Sequence, residues 1–162
     1  MSDRLTNRGT PLIVGRSTLP FLWTGGAAII LGGVVAAVTA PLRLEHGSWA
    51  SAYLVLVVGV ALIALGAVQS RLAQRLSGRA IGVELGGWLV GSAGVIGGTL
   101  LEAPPIVDVG GILLLVSLIT FMLAVRRPAP APPVMLWTFR LVVAIIIVSI
   151  PIGLVLSQLR HG

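Results

Sequence analysis

Glu84 is the one ionisable side chain that lies clearly inside a long apolar segment of this sequence, and Trp88 follows it at helical spacing on the same face. An ionisable group within a membrane-length apolar segment is costly and is a candidate for function. One interpretation is therefore a site that binds a proton or a cation. The alternative, which we favour, is a shallow acid near the N-terminus of its helix, stabilised by the helix dipole and paired with Arg75 or Arg79.

A second group of polar and aromatic side chains lies between the first two apolar segments and consists of Arg43, Glu45, His46, Trp49 and Tyr53. A histidine at this place could ligate a haem or a metal, or titrate near neutral pH. Its imidazole companion, His161, lies close to the C-terminus, and no second helix-borne histidine at a matching depth is present for b-type haem. In the other interpretation His46 flanks a helix, and Trp49 and Tyr53 belong to an interfacial aromatic belt. No cofactor or metal is predicted, with b-type haem or quinone kept as an alternative.

Several kinds of chemistry are excluded by composition and by motif. The chain contains no cysteine, which rules out disulfides, thiolate nucleophiles, Cys-ligated zinc and iron–sulfur clusters. It also lacks a phosphate-binding loop, a paired metal-ligand motif, a nucleophile elbow and a catalytic triad. We therefore do not expect an enzyme such as a hydrolase or a transferase.

The composition indicates the solvent in which the chain folds. Of its 162 residues, 56% are hydrophobic and only 10% are charged, and the mean hydropathy is +1.05. A water-soluble domain would have to cover its surface with apolar groups to reach these values, whereas a lipid solvent accommodates them. The net charge of +6 comes from arginines between apolar segments, so it indicates membrane orientation and not nucleic-acid binding.

Five apolar segments reach the length of about 20 residues that a membrane-spanning helix needs. They are Leu19–Ala40, Ser48–Val68, Ile81–Leu101, Val107–Val125 and Val134–Ser157. The fourth is the weakest, because Pro104, Pro105 and Asp108 crowd its start, and a re-entrant segment is its alternative. Pro128–Pro133 is expected to form a stiff spacer before the fifth. The sequence thus predicts an all-α integral membrane protein, a single membrane domain over residues 1–162.

The arginines predict the orientation, because positive charges in short loops stay on the cytoplasmic side. With alternating helices, one side holds Arg4, Arg8, Arg16, Arg71, Arg75, Arg79, Arg126, Arg127 and Arg140. The other side holds only Arg43 and Arg160. The N-terminus is therefore predicted to be cytoplasmic and the C-terminus external.

Small residues predict how the helices pack, since close association in lipid depends on backbones that can touch. In the third helix the pairs at four-residue spacing are Gly82 and Gly86, Gly87 and Gly91, and Gly94 and Gly98. The first helix carries Ala28, Gly32 and Ala36 at the same spacing. We therefore predict that helices one and three are central and that the Leu- and Val-rich helix four faces lipid along much of its surface; the same pattern could support a homodimer.

Three further features lead to predictions. Trp23–Gly33 aligns without gaps on Trp88–Gly98, which raises the possibility of a parallel repeat of helices one and two in helices three and four. Thr99 and Ser117 are expected to bond back to their own helices. Pro151 is expected to kink helix five.

Four short runs carry a resemblance to a known group of proteins: His46 to Trp49, Ala52 to Val57, the pair Glu84 and Trp88, and Gly97 to Leu100. With them the sequence resembles small uncharacterised multispan membrane proteins of high-GC actinobacteria. The resemblance covers helices two to four and implies a multi-pass protein of a bacterial plasma membrane, without an activity.

The sequence leads to one functional hypothesis and two alternatives. We expect a non-enzymatic accessory or assembly component of a membrane complex, which contacts the lipid bilayer and either other membrane proteins or further copies of itself. The first alternative is a small proton-coupled permease that uses Glu84. The second is a haem- or quinone-associated redox protein that uses His46.

Overall fold

The computed structural model describes the backbone of residues 17–44, 46–73, 77–126, 130 and 132–161, and side chains as far as residue 152. Five helices account for nearly all of these residues: α1 (Leu19–Leu42), α2 (Gly47–Leu72), α3 (Gly78–Leu100), α4 (Pro104–Ala124) and α5 (Pro133–His161). All five are long and apolar enough to cross a membrane, with Pro133–Ile152 as the apolar part of α5. The predicted all-helical fold with five apolar spans is confirmed.

Two helix starts lie upstream of their predicted positions for local reasons. The α3 helix begins at Gly78 because Ser77 caps it, its hydroxyl accepting a hydrogen bond of 3.1 Å from the Ala80 amide. The α4 helix begins with Pro104 and Pro105, which were expected to weaken it. Proline suits the first helical turn, where its missing N–H has no helical partner to lose. The fourth span is therefore a full helix of 21 residues.

The α2 helix contains an unusual central segment. Residues Leu54–Ala61 are wound as a π-helix between two α-helical halves, with no break at either junction. Segments of this kind are rare and mostly one turn long. The helix also continues to Leu72, past the predicted end at Val68, which places Gln69 inside the span.

The first four helices form two antiparallel hairpins. In the α1–α2 hairpin, Gly25 and Gly59 lie so close that a Cβ on Gly25 would be 2.8 Å from the Gly59 carbonyl oxygen. In the α3–α4 hairpin, a Cβ on Gly91 would be 2.8 Å from the Gly110 carbonyl oxygen. The fifth helix packs mainly on α4, where the Arg140 guanidinium donates to the Val125 carbonyl oxygen over 3.2 Å.

Aromatic side chains fill the space between the two hairpins. The Phe21 ring of α1 lies 5.8 Å from the Phe121 ring of α4, between centroids. The Trp88 ring of α3 meets Phe121 edge-on at 6.3 Å. Phe121 is fully buried, as is Leu118, and Leu114 is nearly so. The prediction that helix four faces lipid along much of its surface therefore fits only one side of α4, where Ile112, Val116 and Ile119 are exposed. Leucine suits a protein interior and a lipid surface equally well, so the sequence did not separate the two sides.

The glycines of α3 divide into two groups. Gly87, Gly91, Gly94 and Gly98 each face α4. Gly82 and Gly86 have open space where a Cβ would stand. On α1, Ala28 and Gly32 are buried and Ala36 is exposed.

Several sequence predictions concern residues outside the described part of the chain. They are the arginines at positions 4, 8, 16, 75 and 127, Glu45, and half of the spacer Pro128–Pro133. The side chains of Arg160 and His161 are also outside it. Pro151 lies within α5, which continues helically to His161.

Candidate functional site

Glu84 is completely buried and is held by a residue of another helix. Its carboxyl Oε1 accepts a hydrogen bond of 2.5 Å from the Gln69 side-chain amide, which is also completely buried. Because α3 begins at Gly78, Glu84 lies roughly 9 Å along the helix at about 1.5 Å per residue. Glu84 thus lies farther from the helix start than the single turn that was predicted, and its carboxyl group is buried inside the bundle.

The backbone of Glu84 is also tied to a neighbouring helix. The Ser117 hydroxyl of α4 donates to the Glu84 carbonyl oxygen over 2.7 Å. The prediction that Ser117 bonds back to its own helix is wrong, whereas Thr99 does so, donating to Val95 at 2.7 Å. Glu84 thus joins α2, α3 and α4, since Gln69 reaches it from α2 and Ser117 from α4.

Trp88 links the same helices one turn further along α3. Its indole N–H donates to the Val57 carbonyl oxygen of α2 over 3.3 Å. Val57 belongs to the π-helical segment, where carbonyl groups are not all used by the regular α-helical pattern. Glu84 and Trp88 therefore face the interior together, as their spacing predicted.

Two oxygen atoms in this polar centre have no hydrogen-bond partner. They are Glu84 Oε2 and Gln69 Oε1, both buried. The expected pairing of Glu84 with Arg79 is absent from the described residues, and Arg79 is exposed instead. Within the described part of the chain no cation compensates an ionised carboxylate here, and the unpartnered oxygens leave hydrogen-bonding capacity for a proton, a water molecule or a cation.

Sequence reasoning missed Gln69 and assigned Ser117 the wrong partner. The sequence does contain a pattern that predicts burial of Gln69. Leu65 lies four residues before it and Leu72 three residues after it, on the same face of the helix. A polar residue between two buried leucines on a helix face is expected to be buried with them. For Ser117 no local signal distinguishes a bond within α4 from a bond to α3.

The described residues of the second predicted group, Arg43, His46, Trp49 and Tyr53, are not gathered around one cavity. His46 lines an open cavity of about 600 Å³ together with Thr99, Glu102 and Val107 from the α3–α4 turn. The Trp49 and Tyr53 rings stack against each other with centroids 5.5 Å apart. Arg43 ends α1 in the left-handed conformation, with φ of 50°. His46 therefore shares a cavity with Glu102 of the α3–α4 turn, which the sequence did not suggest.

A groove at the level of the apolar segments lies between α1, α2 and α3. It has a volume of about 670 Å³, and its walls are almost entirely aliphatic. Ala27 and Leu31 contribute from α1, Leu54 from the π-helical segment, and Ser92 and Gly97 from α3. Leu31 and Leu89 lie at its exposed rim.

The architecture is that of a multi-pass helical membrane protein with a buried polar centre. Comparison of the chain with protein-family models, with curated proteins and with solved structures gives no match in any of the three. Any function must therefore be argued from the geometry itself.

Proposed function

We propose that this chain is a non-enzymatic, multi-pass accessory or assembly component of a membrane complex. The observation that carries the proposal is the open face at Gly82 and Gly86, where α3 has no neighbour within the described part of the chain. The occupant that fits this face is a transmembrane helix of another membrane protein.

The physical reason is the cost of glycine in a helix. Glycine is less favourable than alanine in a helix interior by about 1 kcal/mol, so the exposed Gly82 and Gly86 weaken α3, and no described residue of the chain packs against them. In lipid, glycines at four-residue spacing allow a second helix to approach closely. Gly91 and Gly94 allow α4 to approach α3 in this way. Gly82 and Gly86 have open space beside them, where a partner helix would fit.

The proposed orientation has the N-terminus in the cytoplasm and the C-terminus outside a bacterial plasma membrane. Because consecutive helices are antiparallel, Arg71, Arg79, Arg126 and Arg140 lie at one end of the bundle. The opposite end carries Arg43, with His46 and Glu102. The positive-inside rule supports the arginine-rich end as the cytoplasmic one.

Site-specific crosslinking tests the partner face. Because the chain contains no cysteine, an introduced cysteine is the single position that is labelled. A photo-crosslinker is attached to a single cysteine in Gly86→Cys, and a matched label is placed on exposed Ile112 of α4. We expect a protein adduct of defined mass from position 86 and only lipid adducts from position 112. The adduct should disappear when Gly82→Leu is added and persist with Gly33→Leu, which also occupies open space. Lipid adducts alone at both positions would contradict the proposal.

A small proton-coupled permease is the second candidate, and the burial of Glu84 favours it. The carboxyl group is inside the bundle with one unpartnered oxygen, which is the arrangement expected of a group that takes up and releases a proton. Proton flux in reconstituted vesicles tests it, with wild type compared with Glu84→Gln. Flux that is present in wild type and lost in a folded Glu84→Gln protein would favour the permease; no difference favours the accessory role.

A further inference from the structure

We propose that the buried pair of Gln69 and Glu84 holds one proton, and that this proton fastens the two helical hairpins to each other. In this arrangement Glu84 is a neutral carboxylic acid that carries the proton on Oε2 and donates it to Gln69 Oε1. The amide nitrogen of Gln69 donates in return to Glu84 Oε1. The inference rests on neither the accessory role nor the permease role, because it concerns a proton that is held in the resting fold.

The atoms that lack a partner in this pair are those that one proton would satisfy. The hydrogen bond of 2.5 Å occupies Gln69 Nε2 and Glu84 Oε1, and both side chains are completely buried. One oxygen is left without a partner on each group, Oε2 of the acid and Oε1 of the amide. Two such oxygens cannot bond to each other unless one of them carries a hydrogen, and a protonated carboxyl group has one O–H donor. A single proton therefore gives both oxygens a hydrogen bond.

A carboxylic acid and a primary amide are also matched in shape for this pairing. Each is a flat group with a donor and an acceptor side by side, so two antiparallel hydrogen bonds can close a ring between them. The last torsion of a glutamate or glutamine side chain is soft, which allows the two planes to turn until the ring closes. The backbone of Glu84 is meanwhile held by the Ser117 hydroxyl. The acid thus reaches Gln69 from an anchored position.

The charges around the pair favour a proton over the other possible occupants. Of the arginines that the structure describes near this end of the bundle, Arg71 and Arg79 are exposed, and Arg140 donates to a backbone carbonyl of α4. Helix α1 carries no charged residue, and α4 contributes the neutral Ser117 here, with Asp108 near its other end. A water molecule could donate to both free oxygens, but it would leave a buried carboxylate uncompensated. Calcium takes about six to eight oxygen ligands, whereas this centre offers two free oxygens among the described residues.

The proposed proton lies where the two hairpins meet. Gln69 belongs to α2 of the first hairpin and Glu84 to α3 of the second. A further polar contact between the hairpins is the bond of 3.3 Å from the Trp88 indole to the Val57 carbonyl oxygen. Loss of the proton to water would break one of the two bonds of the pair and leave a negative charge beside an unpartnered amide oxygen. A rise in pH should therefore loosen the contact between the hairpins.

Infrared spectroscopy of the full-length protein, in a detergent without carbonyl groups, tests for the proton, because a carboxylic acid and a carboxylate absorb at well-separated frequencies. At neutral pH we expect a hydrogen-bonded carboxylic acid band in wild type. It should be missing from Glu84→Gln and kept by Glu102→Gln, which changes an exposed acid. In Gln69→Leu the band should shift to higher frequency or be lost, since the acid has no amide partner. Carboxylate bands from Glu84 in the difference spectrum would overturn the proposal, as would a band that Gln69→Leu leaves in place.

The pH dependence of unfolding tests whether this proton stabilises the fold. A glutamate of an unfolded chain releases its proton above about pH 4.3. If the native protein keeps that proton, its unfolding equilibrium constant rises with pH, by up to about tenfold per pH unit. Glu84→Gln places a second amide opposite Gln69, which can form the same two hydrogen bonds without a titrating group. We expect wild type to lose stability relative to Glu84→Gln between about pH 5 and pH 8. If the two proteins have parallel pH profiles, the proposal fails.

Discussion

Gly91 and Gly110 face each other so closely that each leaves no room for a side chain on the other. A Cβ on Gly110 would lie 2.7 Å from the Gly91 carbonyl oxygen, and the reciprocal distance is 2.8 Å. Real Cβ atoms essentially never come that near to a backbone oxygen. The α3–α4 hairpin is therefore held by backbone contact, and a single methyl group must separate its helices.

The effect of an alanine substitution on stability should therefore depend on which glycine of α3 is replaced. Gly91→Ala should lower the free energy of unfolding by about 1–3 kcal/mol, because the added methyl group forces the helices apart. Gly86→Ala adds the same methyl group in open space and should be neutral or stabilising by up to about 1 kcal/mol through helix propensity. Thermal or denaturant unfolding in a fixed detergent measures both. Equal destabilisation by the two variants would refute this account of the hairpin.

The hydrogen bond between Gln69 and Glu84 should show strong energetic coupling. Gln69→Leu alone leaves a buried carboxyl group with no side-chain partner, and Glu84→Leu alone leaves a buried amide in the same position, so each should cost about 1–3 kcal/mol. The double variant removes both polar groups and should be less destabilised than the sum of the two. A double-mutant cycle of unfolding free energies provides the measurement, and additive effects would show that the bond contributes nothing.

The placement of Phe121 between the hairpins predicts a large effect of truncation. Phe121→Ala removes a fully buried ring that contacts both Phe21 and Trp88, and should cost about 3–5 kcal/mol. Ile119→Ala, on the exposed side of the same helix, is the matched control and should cost well under half of that amount. Similar losses for the two variants would show that the side of α4 that carries Phe121 is packed no more tightly than its exposed side.

Cysteine labelling tests the proposed orientation without interference, because the chain contains no cysteine. Single cysteines at exposed positions Arg126 and Glu102 lie at opposite ends of the bundle. In intact cells a membrane-impermeant maleimide should label Glu102→Cys, and it should label Arg126→Cys only after the membrane is opened. The reverse pattern would place the N-terminus outside.

The positions of the helices could be predicted from the sequence, because a long apolar segment in lipid must satisfy its backbone N–H and C=O groups internally and therefore forms a helix. The same property limits what else can be predicted. Leu114 and Ile112 have similar hydropathy, yet one contacts Gly91 and the other is exposed. Spacing identified Gly91 as a packing residue, but it could not show that Gly86, in the same pattern, has open space beside it within the described part of the chain.

Of the two side chains that form the buried polar centre, the sequence identified Glu84 but not Gln69. Glu84 is conspicuous because a charge in an apolar segment is rare, whereas Gln69 lay just past a predicted helix end. The start of α3 was predicted three residues too late and the end of α2 four residues too early, so the sequence did not place Gln69 beside Glu84. Its partner is 15 positions away along the chain, beyond the reach of any local pattern.

The π-helical segment of α2 is a place where the chain can lose a residue without disturbing the helix packing on either side. A π turn is in effect an α-helical turn with one additional residue, accommodated without rotating the flanking halves. Deleting a residue within Leu54–Ala61 would convert the segment to an α-helix and leave Gly32 of α1 facing the first half of α2 and Glu84 of α3 facing the second. The same deletion elsewhere in α2 would turn every later side chain by about 100° and carry Gln69 away from Glu84. Insertions and deletions among descendants of this sequence should therefore collect in those eight residues.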